Sequence, residues 1–293
     1  MQHCHSTTEQ ITVRGLRYGI RHWGDSAAPI VFFLHGWMDS SPTFQFVVES
    51  LQKSWHVIAP DWRGYGQSQW LSRPYWFPDY YADLHCILAH FSARPVRLVG
   101  HSMGANIASI YAGLQPERVA QLVMMDFLGL ARPLDADASK QLQRWLGGVL
   151  EEPAMRAYKD HASLARRLLT VNARLTLERA TFLSQSVSCT QTDGRVTMAC
   201  DPWHKIPSPN LYRVEDAMAS WQQITAPVLM LMADQGFVQQ RFATEPEELQ
   251  QRLRCFKNRQ IVTITDSGHN LQHDQPEQVA AALEQFLVFT NPT

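Results

Sequence analysis

The 293-residue sequence predicts an α/β fold, a mostly parallel, doubly wound sheet into which a helical cap is inserted. Three observations predict it. Apolar runs at 30–34, 55–59, 96–99 and 119–125 alternate with helical patterns at the spacing of β-α-β units. That alternation stops after Gly129 and resumes at Pro227, leaving roughly 90 residues of helical periodicity between, too dependent on the flanking halves to read as a separate domain. Finally, Gly100-His101-Ser102-Met103-Gly104 stands between a strand and a helix, the setting of a nucleophile elbow.

The elements follow in order. Residues 11–23 alternate (Ile11, Val13, Leu16, Tyr18, Ile20) around Gly15 and predict a β-ribbon. The run 30–34 is continuously apolar, as in a strand buried on both faces. Pro42 suits the first turn of a helix reaching about residue 51. Tyr81, Leu84, Ile87, Leu88 and Phe91 share one helical face in 77–91. After Ser102, Ala105, Ile107, Ala108, Ile110, Tyr111 and Ala112 predict a small-residue helix. In the cap, 141–150, 154–168 and 175–186 carry helical patterns, broken by a polar stretch at 189–195 and by Lys205-Ile206-Pro207-Ser208-Pro209. Strand 227–232, helix 245–256, strand 261–264 and helix 276–289 complete the chain. The expected units are core 1–129, cap 130–222 and core 223–293.

Composition narrows the function classes. Hydrophobic residues make up 45% and charged residues 18%, with a formal net charge of −1. Such a chain has no electrostatic case for nucleic acid or an anionic membrane. No apolar run approaches the roughly 18 residues of a membrane span, and residues 1–10 lack the pattern of a signal peptide. Five scattered cysteines without a C-x-x-C pair predict reduced thiols and a cytoplasmic location, with no structural zinc. Oligomeric state is not legible.

Serine is a weak nucleophile near neutral pH and needs a base and a group to orient that base. Ser102 is the expected nucleophile. The glycines at 100 and 104 let so tight a turn approach neighbouring backbone. His269, in Gly268-His269-Asn270 at the exit of the last strand, is the expected base. Two acids qualify, Asp126 after the strand that follows the elbow and Asp234 after the strand that follows the cap. Both belong to the carboxyl edge of the sheet, where sites collect. The oxyanion hole is expected from the backbone N–H groups of Trp37 and Met103. Gly36, His101 and Phe127 flank these positions and are expected to bind substrate. Asp61 and Arg63 are expected to be structural.

Together, Leu34-His35-Gly36-Trp37, Asp61-Trp62-Arg63-Gly64-Tyr65-Gly66-Gln67-Ser68, Gly100-His101-Ser102-Met103-Gly104 and Gly268-His269 resemble the α/β-hydrolase superfamily over nearly the whole chain. The resemblance implies its eight-stranded sheet. His35-Gly36-Trp37-Met38-Asp39-Ser40-Ser41, Gln235-Gly236-Phe237 and the Lys205–Pro209 stretch are most similar to the serine hydrolase-like proteins. One position departs from the pattern. Many superfamily members carry their acid in Gly-x-x-Asp after the post-cap strand, where this chain has Ala233 and Gly236. Haloalkane dehalogenases place the acid in a setting similar to Met125-Asp126-Phe127, so the resemblance favours Asp126.

The implied activity is a carboxylesterase-like serine hydrolase acting on a small ester or related acyl bond, without cofactor or metal. Trp145, Trp203 and Trp221 in the cap suggest a hydrophobic substrate. Carbon–carbon bond hydrolases of ring-cleavage products share the serine triad and stand as an alternative, as does a non-catalytic ligand-binding protein of this fold. Dehalogenases and epoxide hydrolases use an aspartate nucleophile, which Ser102 argues against.

Overall fold

The structure is a computed structural model that describes residues 3–132 and 137–289. The remaining residues of the expected units (1–2, 133–136 and 290–293) lie outside the described residues. The strands are β1 (Ser6–Val13), β2 (Leu16–Trp23), β3 (Ile30–Leu34), β4 (His56–Pro60), β5 (Val96–His101), β6 (Val119–Met125), β7 (Ser188–Thr190), β8 (Val196–Met198), β9 (Val228–Ala233) and β10 (Arg259–Ile264). Eight of them form one sheet in the order β1-β2-β4-β3-β5-β6-β9-β10. The ribbon β1–β2 and the β2–β4 pair are antiparallel, and every other pair is parallel.

The helices are α1 (Gln45–Ser50), α2 (Pro78–Phe91), α3 (Met103–Leu114), α4 (Ala138–Gly148), α5 (His161–Val171), α6 (Leu177–Ser186), α7 (Val214–Trp221), α8 (Phe237–Arg241), α9 (Pro246–Leu253), α10 (Leu271–Asp274) and α11 (Pro276–Phe289). The continuous apolar strands divide by alternation between two cores. Phe32, Leu98, Leu122 and Met230 face one side, against Leu84 of α2 and Ile107 of α3. Phe33, Val99, Val123 and Leu231 face the other, against Val47 of α1 and Leu283 of α11. A sheet covered on both faces is why these strands carry no polar period.

The segment between β6 and β9 differs from its sequence reading in three ways. The helical pattern at 154–168 starts late, because Asp160 caps α5 by accepting the Ser163 N–H at 2.7 Å. Ahead of it the chain is extended, and Tyr158 bridges to Val196. The polar stretch 189–195 is the bend of a small hairpin, β7–β8, so the insertion is not wholly helical. Third, α7 lies before the expected boundary at 222 yet packs on α3. A Cβ on Gly113 would stand 2.5 Å from the Ser220 carbonyl carbon, and the indole N–H of buried Trp221 donates to Ser109 Oγ at 3.0 Å. Trp221 is therefore part of the sheet-side core rather than of a pocket roof.

Candidate active site

Strand β5 runs into Ser102, whose φ of 52° and ψ of −115° leave the regions open to most side chains. Such a conformation is strained, and close packing holds it in place. A Cβ on Gly100 would stand 2.5 Å from Ala105 N, and one on Gly104 would strike the Leu34 carbonyl. Helix α3 then starts at Met103, leaving the first N–H groups of the helix without intrahelical acceptors beside Ser102.

Three side chains meet at this elbow. His269 Nε2 lies 2.9 Å from Ser102 Oγ, and His269 Nδ1 lies 2.8 Å from Asp126 Oδ2. Asp126 is fully buried and, like Ser102, follows its strand with a left-handed φ, 46°. Phe237 N–H donates to Asp126 Oδ2 at 2.6 Å and Val238 N–H to Oδ1 at 3.4 Å, so the start of α8 helps satisfy the carboxylate. A Cβ on Gly236 would come within 2.5 Å of Asp126 Oδ1. Asp234 goes elsewhere. Its carboxylate accepts the N–H groups of Asp266 (2.9 Å) and Ser267 (3.0 Å), which hold its pKa below the usual carboxylate range. It shapes the loop that carries His269 without touching that ring.

On the opposite side of Ser102 lies the exit of β3. A Cβ on Gly36 would sit 3.3 Å from Ser102 Cβ, so this backbone runs directly against Ser102. Buried His35 fixes its orientation. Trp62 N–H donates to His35 Nε2 at 2.9 Å, which makes Nδ1 the protonated nitrogen, and Nδ1 donates to the Gly36 carbonyl at 2.8 Å. Because the peptide is planar and trans, holding the Gly36 oxygen away aims the Trp37 N–H the other way. Burial lowers the His35 pKa to about 4, so the ring stays neutral. Nothing but the motif itself marked this role in the sequence. His101 is likewise buried and neutral, its pKa pulled well below the ordinary value by burial. Its Nε2 donates to the His269 carbonyl at 2.8 Å, and Gln272 Nε2 approaches its Nδ1 at 3.4 Å.

Ser102 and His269 open into a cavity of about 180 Å³, which Gly36, Trp37 and His101 also line. Its apolar wall is aliphatic and comes from the inserted segment, with Leu168, Val171, Leu175, Leu183, Val187 and Met198. The expected tryptophans do not form it. Trp221 is in the core, and neither Trp145 nor Trp203 lines the cavity. Phe127 does not line it either, a correction with a clear cause. The left-handed Asp126 turns the chain so that Phe127 is buried and stacks on Phe237, with centroids 6.1 Å apart. Asp39, Asn172 and His273 are lining groups that the sequence did not single out.

Asp274 ties the inserted segment to the histidine loop, accepting Asn172 Nδ2 at 2.6 Å and Gly268 N–H at 2.8 Å. Asp61 holds a neighbouring turn by accepting Ser41 N–H at 2.7 Å and Gln67 N–H at 2.9 Å. Buried Arg63 pairs with Asp83 and Asp79. Neither Asp61 nor Arg63 lines the cavity.

A sequence profile of the alpha/beta hydrolase fold family matches residues 29–276. The chain belongs to this family. It is 26% identical to a serine hydrolase-like protein of Danio rerio over 282 residues, 92% of this chain and 85% of the relative. It is 25% identical to a 3-hydroxybutyrate-oligomer hydrolase of Cupriavidus necator, covering 92% of each chain. Among solved structures, the thioesterase domain from the curacin biosynthetic pathway superposes with a TM-score of 0.84 at 23% identity, covering 95% of this chain and 99% of that one.

Proposed function

We propose that this α/β-hydrolase is a serine hydrolase that cleaves a small ester or related acyl bond through Ser102, His269 and Asp126. The observation that carries the reading is the chain of contacts from Ser102 Oγ through the two ring nitrogens of His269 to Asp126, at 2.9 and 2.8 Å. Ser102 Oγ attacks the carbonyl carbon while His269 Nε2 takes its proton. Asp126 accepts from Nδ1–H, holds the useful tautomer and stabilises the imidazolium that forms. The negative oxygen of the tetrahedral intermediate takes hydrogen bonds from the Trp37 and Met103 N–H groups. His269 returns the proton to the leaving alcohol, which departs and leaves an acyl-serine. Water, deprotonated by the same histidine, then releases the acid and restores Ser102.

The aliphatic wall supports a substrate with an apolar body, and the cavity size supports a small one. We take the segment of α4 to α6 with its hairpin as the cap that sets this preference. Five free cysteines support a reducing cytoplasmic setting. Among the described residues no helix is long and apolar enough to cross a membrane, and no cluster of three or more His, Cys, Asp or Glu could hold a metal. Turnover of a p-nitrophenyl butyrate series tests the reading. Wild-type hydrolysis that Ser102→Ala abolishes supports it, and hydrolysis that survives the substitution sinks it.

A further inference from the structure

We propose that the cavity selects substrates carrying a hydroxyl group, which donates a hydrogen bond to Asp39. The inference rests on the serine-hydrolase reading for its context and adds a substrate class to it. Asp39 lines the same cavity as Ser102 and His269, two residues beyond Trp37. Met38 between them has a left-handed φ of 57°, a costly conformation for methionine that turns the chain at this point. One carboxylate oxygen accepts the Ser40 N–H at 2.8 Å, and Thr43 contributes a side-chain hydrogen bond. None of the groups acting on the carboxylate is a cation, and Asp61 adds a second negative charge. His273 does not neutralise it. Its Nε2 sits 2.6 Å from Thr43 Oγ1, and burial keeps the ring neutral with a pKa lowered to about 4.

Asp39 is half-buried in the cavity wall with no cation beside it, and the lone pairs that the protein leaves open are free to accept a hydrogen bond from a ligand. Desolvation in the cavity wall pushes the Asp39 pKa up to about 7. The protein supplies two hydrogen-bonding groups to a carboxylate with about four acceptor positions. Asp39 is the carboxylate of a cavity wall that otherwise mixes aliphatic side chains with Asn172, Asn270 and neutral or uncharged polar groups. A hydroxyl meets the open acceptor at a small desolvation cost, whereas an ammonium would have to shed its water for a single counter-charge. Asp39 is then a specificity residue, and discrimination falls on substrates that lack the donor.

Binding to the Ser102→Ala protein separates this claim from turnover. Ethyl butyrate, ethyl 3-hydroxybutyrate and 2-hydroxyethyl butyrate are titrated by calorimetry, the last two placing the hydroxyl on opposite sides of the ester. At least one hydroxylated ester is expected to bind about tenfold more tightly than ethyl butyrate, as befits a hydrogen bond to a charged group. Adding Asp39→Leu abolishes that preference, and Asp39→Asn, which keeps the acceptor for Ser40 N–H, reduces it. Equal affinities for the three esters overturn the proposal, and so does a preference that both substitutions leave intact. Should wild-type protein hydrolyse no ester while the binding preference holds, the catalytic reading fails and this one stands. Turnover without the preference gives the opposite result.

Discussion

The Asp126 carboxylate fills the space that a side chain at position 236 would need. A Cβ on Gly236 would stand 2.5 Å from Asp126 Oδ1. The position at which the resemblance would place an acid is glycine here, and the carboxylate beside it comes from the end of β6, where it is met by the N–H groups of Phe237 and Val238. Asp126→Asn should lower kcat by about 10³ to 10⁴, the cost of presenting the wrong histidine tautomer. Asp234→Asn should stay within about tenfold, since it only weakens a loop. Steady-state kinetics of both variants decides it, and the reverse ranking would assign the role to Asp234.

Gly236→Ala offers a second view of the same contact. The added methyl displaces the Asp126 carboxylate, so kcat should fall by at least about tenfold while substrate affinity changes little. An alanine variant with unchanged kcat would show that the crowding has no bearing on the chemistry.

His35 should act on the reaction without touching substrate. Its Nδ1–H holds the Gly36 carbonyl, and with it the direction of the Trp37 N–H. His35→Ala should cost about 10- to 100-fold in kcat with KM nearly constant, somewhat less than deleting an oxyanion donor outright. A loss confined to KM would separate His35 from the oxyanion site.

The cap and the histidine loop share one carboxylate, Asp274. Asp274→Ala should speed amide exchange at Gly268 and His269 and lower kcat by about tenfold. Unchanged exchange in this loop would show that other contacts hold His269.

Buried neutral histidines predict acid lability. His35 and His273 titrate near 4 in the folded protein against 6.5 when unfolded. Between those values the unfolded chain binds more protons, so stability is intact above pH 6.5 and falls as pH drops toward 4. Each costs on the order of 2 kcal/mol by pH 5. Asp39, raised to about 7, works in the opposite sense, because the folded state keeps its proton between about 4 and 7. Two histidines outweigh one carboxyl, and the direction at His101 adds to them. The urea midpoint should therefore be lower at pH 5 than at pH 7.5. An equal or higher midpoint at pH 5 contradicts this balance.

Much of the architecture was legible because it depends on local patterns. The buried strands announce themselves as continuous apolar runs, and the elbow glycines are required by the backbone they touch. The glycine at 236 was also readable, and its meaning is steric: the sequence left Asp126 and Asp234 as candidates, and the carboxylate that crowds Gly236 and meets His269 is Asp126. What stayed hidden depends on how distant pieces pack. Gly113 marks the point where α7 crosses α3, yet a lone glycine in a helix names no partner. The hairpin strands are three residues long, too short for alternation to show. Asp39 and the aliphatic wall become a pocket only when α5, α6 and β8 fold over the sheet edge.

The central claim is that Ser102 is an activated nucleophile, and the intact mass after fluorophosphonate treatment tests it most directly. The account predicts a single adduct, mapped by peptide analysis to Ser102, absent in Ser102→Ala and formed much more slowly in Asp126→Asn. No adduct on folded wild-type protein, or an adduct on another residue, would contradict it.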